Sequence, residues 1–340
     1  MLSLSLEVAY VALLLLLCMG FALYESGYGV CATIFESFWK RLSTFCVAYT
    51  SFLVTAVILN TTLIQNWPTL VMNLSLLTVL THIITVISRN LYFAWIKAVL
   101  IGGLFYPVLT QTISPDGILT AAGYYDAAGS GIVHFVGAIV ALLMSVYFSK
   151  MNVFDNVRVR RPSLASMGFL CIWGAWIIFV FLMSASLVSN DPNAYIKGFV
   201  ITSTAAAWGA VAAVALTLLT RGKIYLKSCT IGGLAGLVIV SSDPFTISIE
   251  CAVFFGVLAG VVSSLCSQLL HMFKLHDPCS VISIHGPAGA LGVMLVAITD
   301  GTSFNSQAGG LIMLTIAAVV LSVILCELGI IFKTSPKNIS

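Results

Sequence analysis

Eleven long apolar stretches recur from one end of the 340-residue sequence to the other, with only short polar breaks between them. All but the stretch at 228–241, which is shorter, approach the roughly 20 apolar residues that an α-helix needs to cross a bilayer. Only 8% of the residues are charged and the mean hydropathy is +1.08, whereas a soluble domain carries about a quarter charged residues. We therefore predict one all-α polytopic membrane domain over residues 1–340. The predicted spans are 8–24, 42–64, 70–88, 91–113, 127–149, 164–188, 196–219, 228–241, 247–271, 278–298 and 308–332.

Basic residues are distributed unevenly between the predicted loops. Short cytoplasmic loops retain Lys and Arg, and all but two of the 15 basic residues fall on one side or on the C-terminal tail. This bias predicts an N-out/C-in orientation, and it explains the formal net charge of +3 without a nucleic-acid partner. The exceptions are Lys197 and Lys97, and we expect Lys97 to snorkel inward from the fourth span. The basic side comprises Lys40, Arg41, Arg89, Lys150, Arg158, Arg160, Arg161, Arg221, Lys223, Lys227, Lys274, Lys333 and Lys337.

Motifs for cofactor or enzyme chemistry are absent from the sequence. Nine cysteines are scattered without CxxC or CxxH spacing, so we predict neither a disulfide framework nor structural zinc. There is no HExxH, no GxSxG, and no helix with two histidines at haem-like spacing. An intramembrane enzyme or redox protein is therefore disfavoured, and we expect no cofactor and no metal.

Two histidines occupy equivalent positions in two predicted spans. The fifth span opens at Asp126 and reaches His134, and the tenth opens at Asp277 and reaches His285, eight residues on in both cases. Ionisable groups within a span are costly and mark substrate paths. Each Asp suits a helix N-cap, and we assign both a structural role. Eight residues at 1.5 Å each place the rings roughly 12 Å from the helix start, near the middle of a core about 30 Å thick.

The two histidine-bearing spans enter from opposite faces of the membrane, as inverted-topology repeats do. We predict repeats over roughly 8–149 and 164–298, followed by a final helix at 308–332. Because such repeats place the substrate path at their interface, we interpret His134 and His285 as pore residues rather than as core histidines satisfied by a carbonyl. Small residues beside each His would let the helices approach closely; they are Gly137, Ala138, Ala288 and Gly289.

His82, in the third span, has no counterpart in the other half of the sequence. We therefore expect it to be a satisfied core residue. His271 and His276 flank a predicted cytoplasmic loop, where solvated surface positions are expected.

The segments around the two paired histidines resemble the signature segments of the ammonium transporter (Amt/Mep/Rh) family. They read Asp126-Ala-Ala-Gly-Ser-Gly-Ile-Val-His134 and Asp277-Pro-Cys-Ser-Val-Ile-Ser-Ile-His285-Gly-Pro-Ala-Gly. The resemblance runs from about residue 10 to 332 and includes Gly20-Phe-Ala-Leu-Tyr-Glu25-Ser-Gly27. It implies an eleven-helix, N-out/C-in homotrimer with one pore per subunit, located in the plasma or inner membrane and transporting ammonium or ammonia.

The resemblance also implies roles for individual residues. His134 and His285 match the paired pore histidines of the family, and Asp126 matches its Asp near the outer mouth. In the seventh span, Phe199 matches the gate phenylalanine and Ser203 matches a vestibule hydroxyl.

At several positions the sequence departs from the family pattern. Val71 and Ser75 stand where the third span of the family has aromatic residues, and a vestibule Trp is missing near Ile113. An outer cation–π site, worth roughly 1–2 kcal/mol per desolvated ring contact, is thereby weakened. The tail after Phe332 is short, so we do not expect a PII-type regulator.

Three functions of this family remain open on sequence grounds. In the first, ammonium loses its proton at the outer vestibule and NH3 passes two neutral imidazoles, which can both donate and accept hydrogen bonds. The second is a Rh-like channel for NH3 or CO2, favoured by the missing aromatic residues. The third is a non-conducting ammonium sensor with the same fold.

Overall fold

The computed structural model describes residues 2–31, 33–59, 67–87, 90–149, 160–187, 193–299 and 301–333, and its regular secondary structure is helical, with no strand in these ranges. Ten of its helices are long and apolar enough to cross a membrane, as the sequence predicts for a polytopic protein. The eighth helix has only 14 residues. The helices are α1 (Leu2–Tyr28), α2 (Ile34–Ile58), α3 (Trp67–Thr85), α4 (Leu91–Thr112), α5 (130–149), α6 (Pro162–Leu187), α7 (Ala194–Arg221), α8 (Leu226–Ile239), α9 (Ile249–Met272), α10 (Val281–Thr299) and α11 (Phe304–Lys333).

The largest difference from the predicted spans lies in the second helix. It was expected over 42–64, but α2 begins at Ile34 and ends at Ile58, and 60–64 lie outside the described residues. The helix begins early because the side chain of Thr33 accepts a hydrogen bond from the backbone N–H of Glu36, as an N-cap does. Lys40 and Arg41 are therefore helical and buried, 4% and 0% exposed, and the prediction that they lie in a loop is wrong.

Lys97 also differs from its prediction, because its side chain does not snorkel to the membrane surface. It is fully buried on α4. Its Nζ donates a hydrogen bond of 2.9 Å to the backbone carbonyl of Ile84 and lies 5.0 Å from the centre of the Phe93 ring. Inside a bilayer, such partners replace the water that a charged or polar group has lost.

Glycines bring helix backbones into direct contact. A Cβ built on Gly27 of α1 would lie 2.4 Å from the backbone nitrogen of Ala165 on α6. On α7, a Cβ at Gly209 would lie 2.3 Å from the carbonyl oxygen of Gly232 on α8. Helices in lipid associate by such close packing. Lipid tails are as apolar as the helices, so the hydrophobic effect does not drive the helices together. The two helices that carry the paired histidines, α5 and α10, also pack against each other.

The N-out/C-in orientation stays a prediction. We name the two faces of the helix bundle the Asp126 end and the Asp277 end, after the residues that precede α5 and α10. Charged loop residues that contributed to the prediction but lie outside the described ranges are Arg89, Lys150, Arg158, Asp191, Asp300 and Lys337.

Candidate functional site

His134 on α5 and His285 on α10 are in direct contact at the centre of the helix bundle. Their Nδ1 atoms are 3.0 Å apart, and the rings stack with centroids 4.9 Å apart and planes inclined by 9°. The two side chains are 0% and 8% exposed. The juxtaposition that the inverted halves of the sequence suggested is therefore present.

Two aspartates fix the first turns of the histidine-bearing helices in the same way. Asp126 Oδ2 accepts hydrogen bonds from the backbone N–H groups of Gly131 and Ile132, at 2.9 and 3.0 Å. Asp277 accepts from the N–H groups of Ile282 and Ser283, at 2.8 and 3.1 Å. Both carboxylates therefore satisfy N–H groups in the first turn, as N-capping predicts, although the residue directly before Ser130 is Gly129 and Asp126 lies three residues further back.

The helices begin later than the sequence analysis assumed, because it counted the first helical residue from Asp126 and Asp277. Regular helix begins at Ser130 and at Val281, in each case four residues before the His. Each ring therefore lies roughly 6 Å along its helix axis, rather than 12 Å.

Burial also changes the acidity of the capping carboxyl groups. Asp126 is 7% exposed, and desolvation raises its pKa to about 6, although the N–H bonds from Ile132, Gly131 and Ser130 act to lower it. Burial likewise raises the pKa of Asp277. Oδ1 of Asp126 is buried and accepts no hydrogen bond from the described part of the chain, so it can carry a proton.

Small residues beside His285 allow α5 and α10 to approach closely. A Cβ on Gly289 would lie 2.6 Å from the carbonyl oxygen of Ser130, and one on Gly292 would lie 2.9 Å from its Oγ. Any larger side chain there would separate the helices and pull the imidazoles apart. This is the function expected for the small residues next to the histidines.

Two small cavities flank the histidine pair. The one toward the Asp126 end has a volume of about 10 Å³ and is lined by His134, Ser75 and apolar side chains. The one toward the Asp277 end has about 20 Å³ and is lined by His285, His82 and mostly apolar groups. A cavity of 10–15 Å³ holds about one water molecule. Each cavity therefore has room for about one molecule of the size of water or ammonia. We call the two cavities and the imidazoles between them the apolar passage.

Aromatic rings at the Asp126 side of the passage come from α6. The Trp176 ring stacks on His134 at a centroid distance of 5.4 Å, and Phe179 lies 6.2 Å from Trp176. Both rings line the cavity beside His134. Sequence reasoning missed them; the signal was the spacing Trp173, Trp176 and Phe179, which places aromatic residues on one helical face.

Phe199 and Ser203, by contrast, line neither cavity. The Phe199 side chain is 45% exposed on α7, and its role as a gate ring stays a prediction. Oγ of Ser203 is buried and makes no hydrogen bond within the described ranges.

His82 is more than the satisfied core residue that the sequence suggested. Its Nδ1 lies 3.0 Å from Oε1 of Glu25, so the ring has the polar partner expected in a core. The same ring also lines the cavity next to His285.

This arrangement defines a multi-pass membrane protein with an apolar passage interrupted by stacked imidazoles, suited to moving a small polar molecule. Within the part of the chain that the structure describes, no three His, Cys, Asp or Glu side chains group closely enough to hold a metal. The sequence profile of the Ammonium Transporter Family matches residues 5–334, and this chain belongs to that family.

Curated relatives share part of their length with this chain. Ammonium transporter Amt2 of Haloferax mediterranei is 27% identical over 219 residues, which is 59% of this chain and 47% of the relative. Ammonium transporter MEP1 of Saccharomyces cerevisiae is 26% identical over 196 residues, covering 57% and 39%. The matched segments therefore span about half, or less, of these relatives.

Solved structures show the same fold. A Sensor Amt Protein superposes with a TM-score of 0.79 at 20% identity, covering 99% of this chain and 95% of that one. Nitrosomonas europaea Rh50 gives a TM-score of 0.73 at 20% identity, covering 95% and 88%. Rh50 is described as a member of the Rhesus protein family of channels. The fold of this chain is therefore similar both to that of a channel and to that of a sensor.

Proposed function

We propose that this protein conducts ammonium nitrogen across the membrane and that neutral ammonia passes His134 and His285. The observation that carries the proposal is the 3.0 Å contact between the two Nδ1 atoms in an apolar passage. A bare cation is heavily penalised in such surroundings, whereas ammonia is only a small polar molecule.

The contact between the two rings determines what each presents to a passing molecule. Two Nδ1 atoms at hydrogen-bond distance share one proton, so one ring donates and the other accepts. In neutral imidazoles this leaves one Nε2 with a lone pair and the other Nε2 with a hydrogen. Nε2 of His134 is buried without a partner among the described residues, and it is available to ammonia, which can both donate and accept.

Ammonium loses its proton at the Asp126 side in this proposal. Trp176 and Phe179 line the cavity beside His134, and they replace Phe199 as the rings that contact the incoming molecule. Each desolvated ring contact stabilises a cation by roughly 1–2 kcal/mol. Asp126 acts as the cap that positions α5 rather than as a direct ligand.

Further properties follow from family membership and are part of the same proposal. The protein is oriented N-out/C-in in the cell membrane and forms a homotrimer with one pore per subunit. Its two inverted repeats correspond to roughly 8–149 and 164–298. Their mirrored Asp–His pairs and the contact of α5 with α10 support this division.

The test is flux in liposomes on a solid-supported membrane, with an ammonium pulse and a potassium pulse as ionic control. His134→Ala and His285→Ala should each abolish ammonium-dependent current or internal alkalinisation. His271→Ala alters an exposed histidine and should conduct like wild type. Full activity in both pore variants would reject the proposal.

Two observations keep other functions of the family open to test. Val71 and Ser75 supply no aromatic ring on α3, which favours a Rh-like channel for NH3 or CO2; such a channel shows no saturation at low ammonium. The fold is also that of a Sensor Amt Protein. A sensor would bind ammonium but produce no flux in the same liposomes.

A further inference from the structure

His82 belongs to a buried polar cluster beside the passage, which we call the Glu25 cluster: Glu25, Arg41, His82 and Thr85. Oε1 of Glu25 lies 2.7 Å from Nε of Arg41 and 3.0 Å from Nδ1 of His82. Nη1 of Arg41 donates a 2.7 Å hydrogen bond to Oγ1 of Thr85. All four side chains are at most 2% exposed, so the cluster is held within the bundle.

The charges of the cluster determine the protonation of His82. Arg41 already balances the carboxylate of Glu25 in a direct ion pair. A second positive charge on His82 would be buried without a counter-charge, and Lys40 and Lys97 are the other basic side chains buried on α2 and α4. His82 is therefore neutral. Its Nδ1 lies 3.0 Å from Oε1 of Glu25, and this closeness to a carboxylate oxygen assigns the ring proton to Nδ1.

This tautomer leaves the lone pair of His82 on Nε2, the nitrogen that does not face Glu25. The ring is fixed by stacking on Phe21, at a centroid distance of 4.0 Å and an interplanar angle of 14°. It lines the same cavity of about 20 Å³ as His285, which is room for about one small molecule. Because Nδ1 of His285 faces His134, its Nε2 is the nitrogen on the side away from that ring.

We propose that His82 is a third ammonia-binding imidazole of the pore, held as its Nδ1–H tautomer by Glu25, and that one ammonia molecule binds between His82 and His285. Ammonia donates an N–H to Nε2 of His82 and forms its second hydrogen bond with His285. The site takes the neutral base rather than the cation, because Arg41 already balances the negative charge of Glu25 and no net negative charge is left to stabilise a cation. The identity of the ligand rests on the proposed function.

The direct test is solid-state nitrogen NMR of the full-length protein in lipid, labelled with ¹⁵N-histidine. With five histidines in the chain, His82→Leu assigns its own resonances by difference. We expect a neutral Nδ1–H tautomer for His82 and a shift of its Nε2 resonance on adding ammonium chloride, but not potassium chloride. An Nε2–H tautomer of His82, or a His82 Nε2 resonance that does not shift on adding ammonium chloride, would overturn the proposal.

Flux measurements separate this proposal from the proposed function. Loss of one hydrogen bond of about 1.4 kcal/mol lowers a rate roughly tenfold, so His82→Leu should slow ammonia flux about tenfold. The matched control is His271→Leu, an exposed histidine, which should match wild type. His82→Gln keeps a neutral acceptor and should lose less than His82→Leu.

The outcomes have distinct meanings. If His134→Ala stops flux while correctly folded His82→Leu conducts like wild type, the proposed function stands and the third imidazole is rejected. If wild-type protein conducts nothing, the proposed function fails, and the ammonium-dependent NMR shift still decides whether His82 binds. Equal losses in His82→Leu and His82→Gln, with no NMR response, would mean that His82 has only a packing role.

Discussion

Nδ1 of His134 and Nδ1 of His285 are 3.0 Å apart, and their rings are parallel to within 9°. Two lone pairs at this distance repel, so one proton must lie between the nitrogens. The pair is therefore asymmetric at any moment, with one ring accepting and the other donating at Nε2. For the two rings to swap the donor and acceptor roles at Nε2, both must change tautomer together.

Replacing one ring should disable its partner as well. In His285→Phe the ring volume is largely retained, but Nδ1 of His134 loses its hydrogen-bond partner in a buried site. We expect flux to fall at least 100-fold, and the stability of the folded protein to fall by about 1–3 kcal/mol, the cost of a buried unpaired polar group. Liposome flux and thermal unfolding in detergent measure the two effects. A His285→Phe protein that conducts normally would contradict the role of the pair.

Loss of the Asp126 cap should destabilise the start of α5. Asp126→Ala leaves the N–H groups of Gly131 and Ile132 without their acceptor, and loss of a cap costs about 0.5–2 kcal/mol. Asp126→Asn keeps one acceptor and should lose less. The measurement is thermal unfolding of the three proteins at one pH. Equal stability of wild type and Asp126→Ala would show that the cap is unnecessary.

The same carboxyl group should make stability depend on pH. Burial raises the pKa of Asp126 to about 6, above the unfolded value near 3.9. The folded protein therefore binds the proton more tightly, so this stabilisation is complete below the unfolded pKa and is lost as pH rises through 6. When the pH is lowered from about 7 to about 4, the free energy of unfolding of wild type should rise relative to that of the non-titrating Asp126→Asn variant, by at most ~3 kcal/mol. A pH-independent stability difference between the two would contradict this assignment.

Trp176, and not Phe199, should affect the affinity for ammonium. Trp176 stacks on His134, and removal of a desolvated cation–π contact of roughly 1–2 kcal/mol raises a half-saturation concentration about tenfold. Trp176→Leu should show this increase, whereas Phe199→Leu, which alters a side chain that is 45% exposed, should not. The half-saturating ammonium concentration of the transient current is the readout. An increase in Phe199→Leu but not in Trp176→Leu would show that the gate ring lies on α7.

Backbone contact between α1 and α6 should make Gly27 intolerant of substitution. A Cβ there would lie 2.4 Å from the backbone nitrogen of Ala165, so Gly27→Ala must separate two helices and should reduce the yield of folded protein severely. Gly174→Ala is the matched control on α6, because a Cβ there meets nothing within 4 Å. Helix propensity alone would make it neutral or stabilising by up to about 1 kcal/mol. Equal folding of both variants would show that the contact is looser than described.

Local features of the sequence determined much of this protein. Apolar runs near the length of a bilayer crossing identified all eleven helices, because backbone groups in lipid must be satisfied within a helix. The positions of Asp126 and Asp277 before the two histidine-bearing helices predicted the hydrogen bonds at the helix starts, since a carboxylate accepts from the N–H groups of the helix that it precedes. The repeated eight-residue spacing then identified His134 and His285 as a pair.

Tertiary structure decided which faces of those helices meet. Trp176 rather than Phe199 reached the histidines, Lys97 stayed buried, and His82 joined Glu25 across α3 and α1. An apolar span shows little amphipathic pattern, because lipid and protein interior are similarly apolar. Composition therefore determines that a helix crosses the membrane, while close packing of small residues such as Gly27 and Gly289 determines its rotation and the side chains that line the passage.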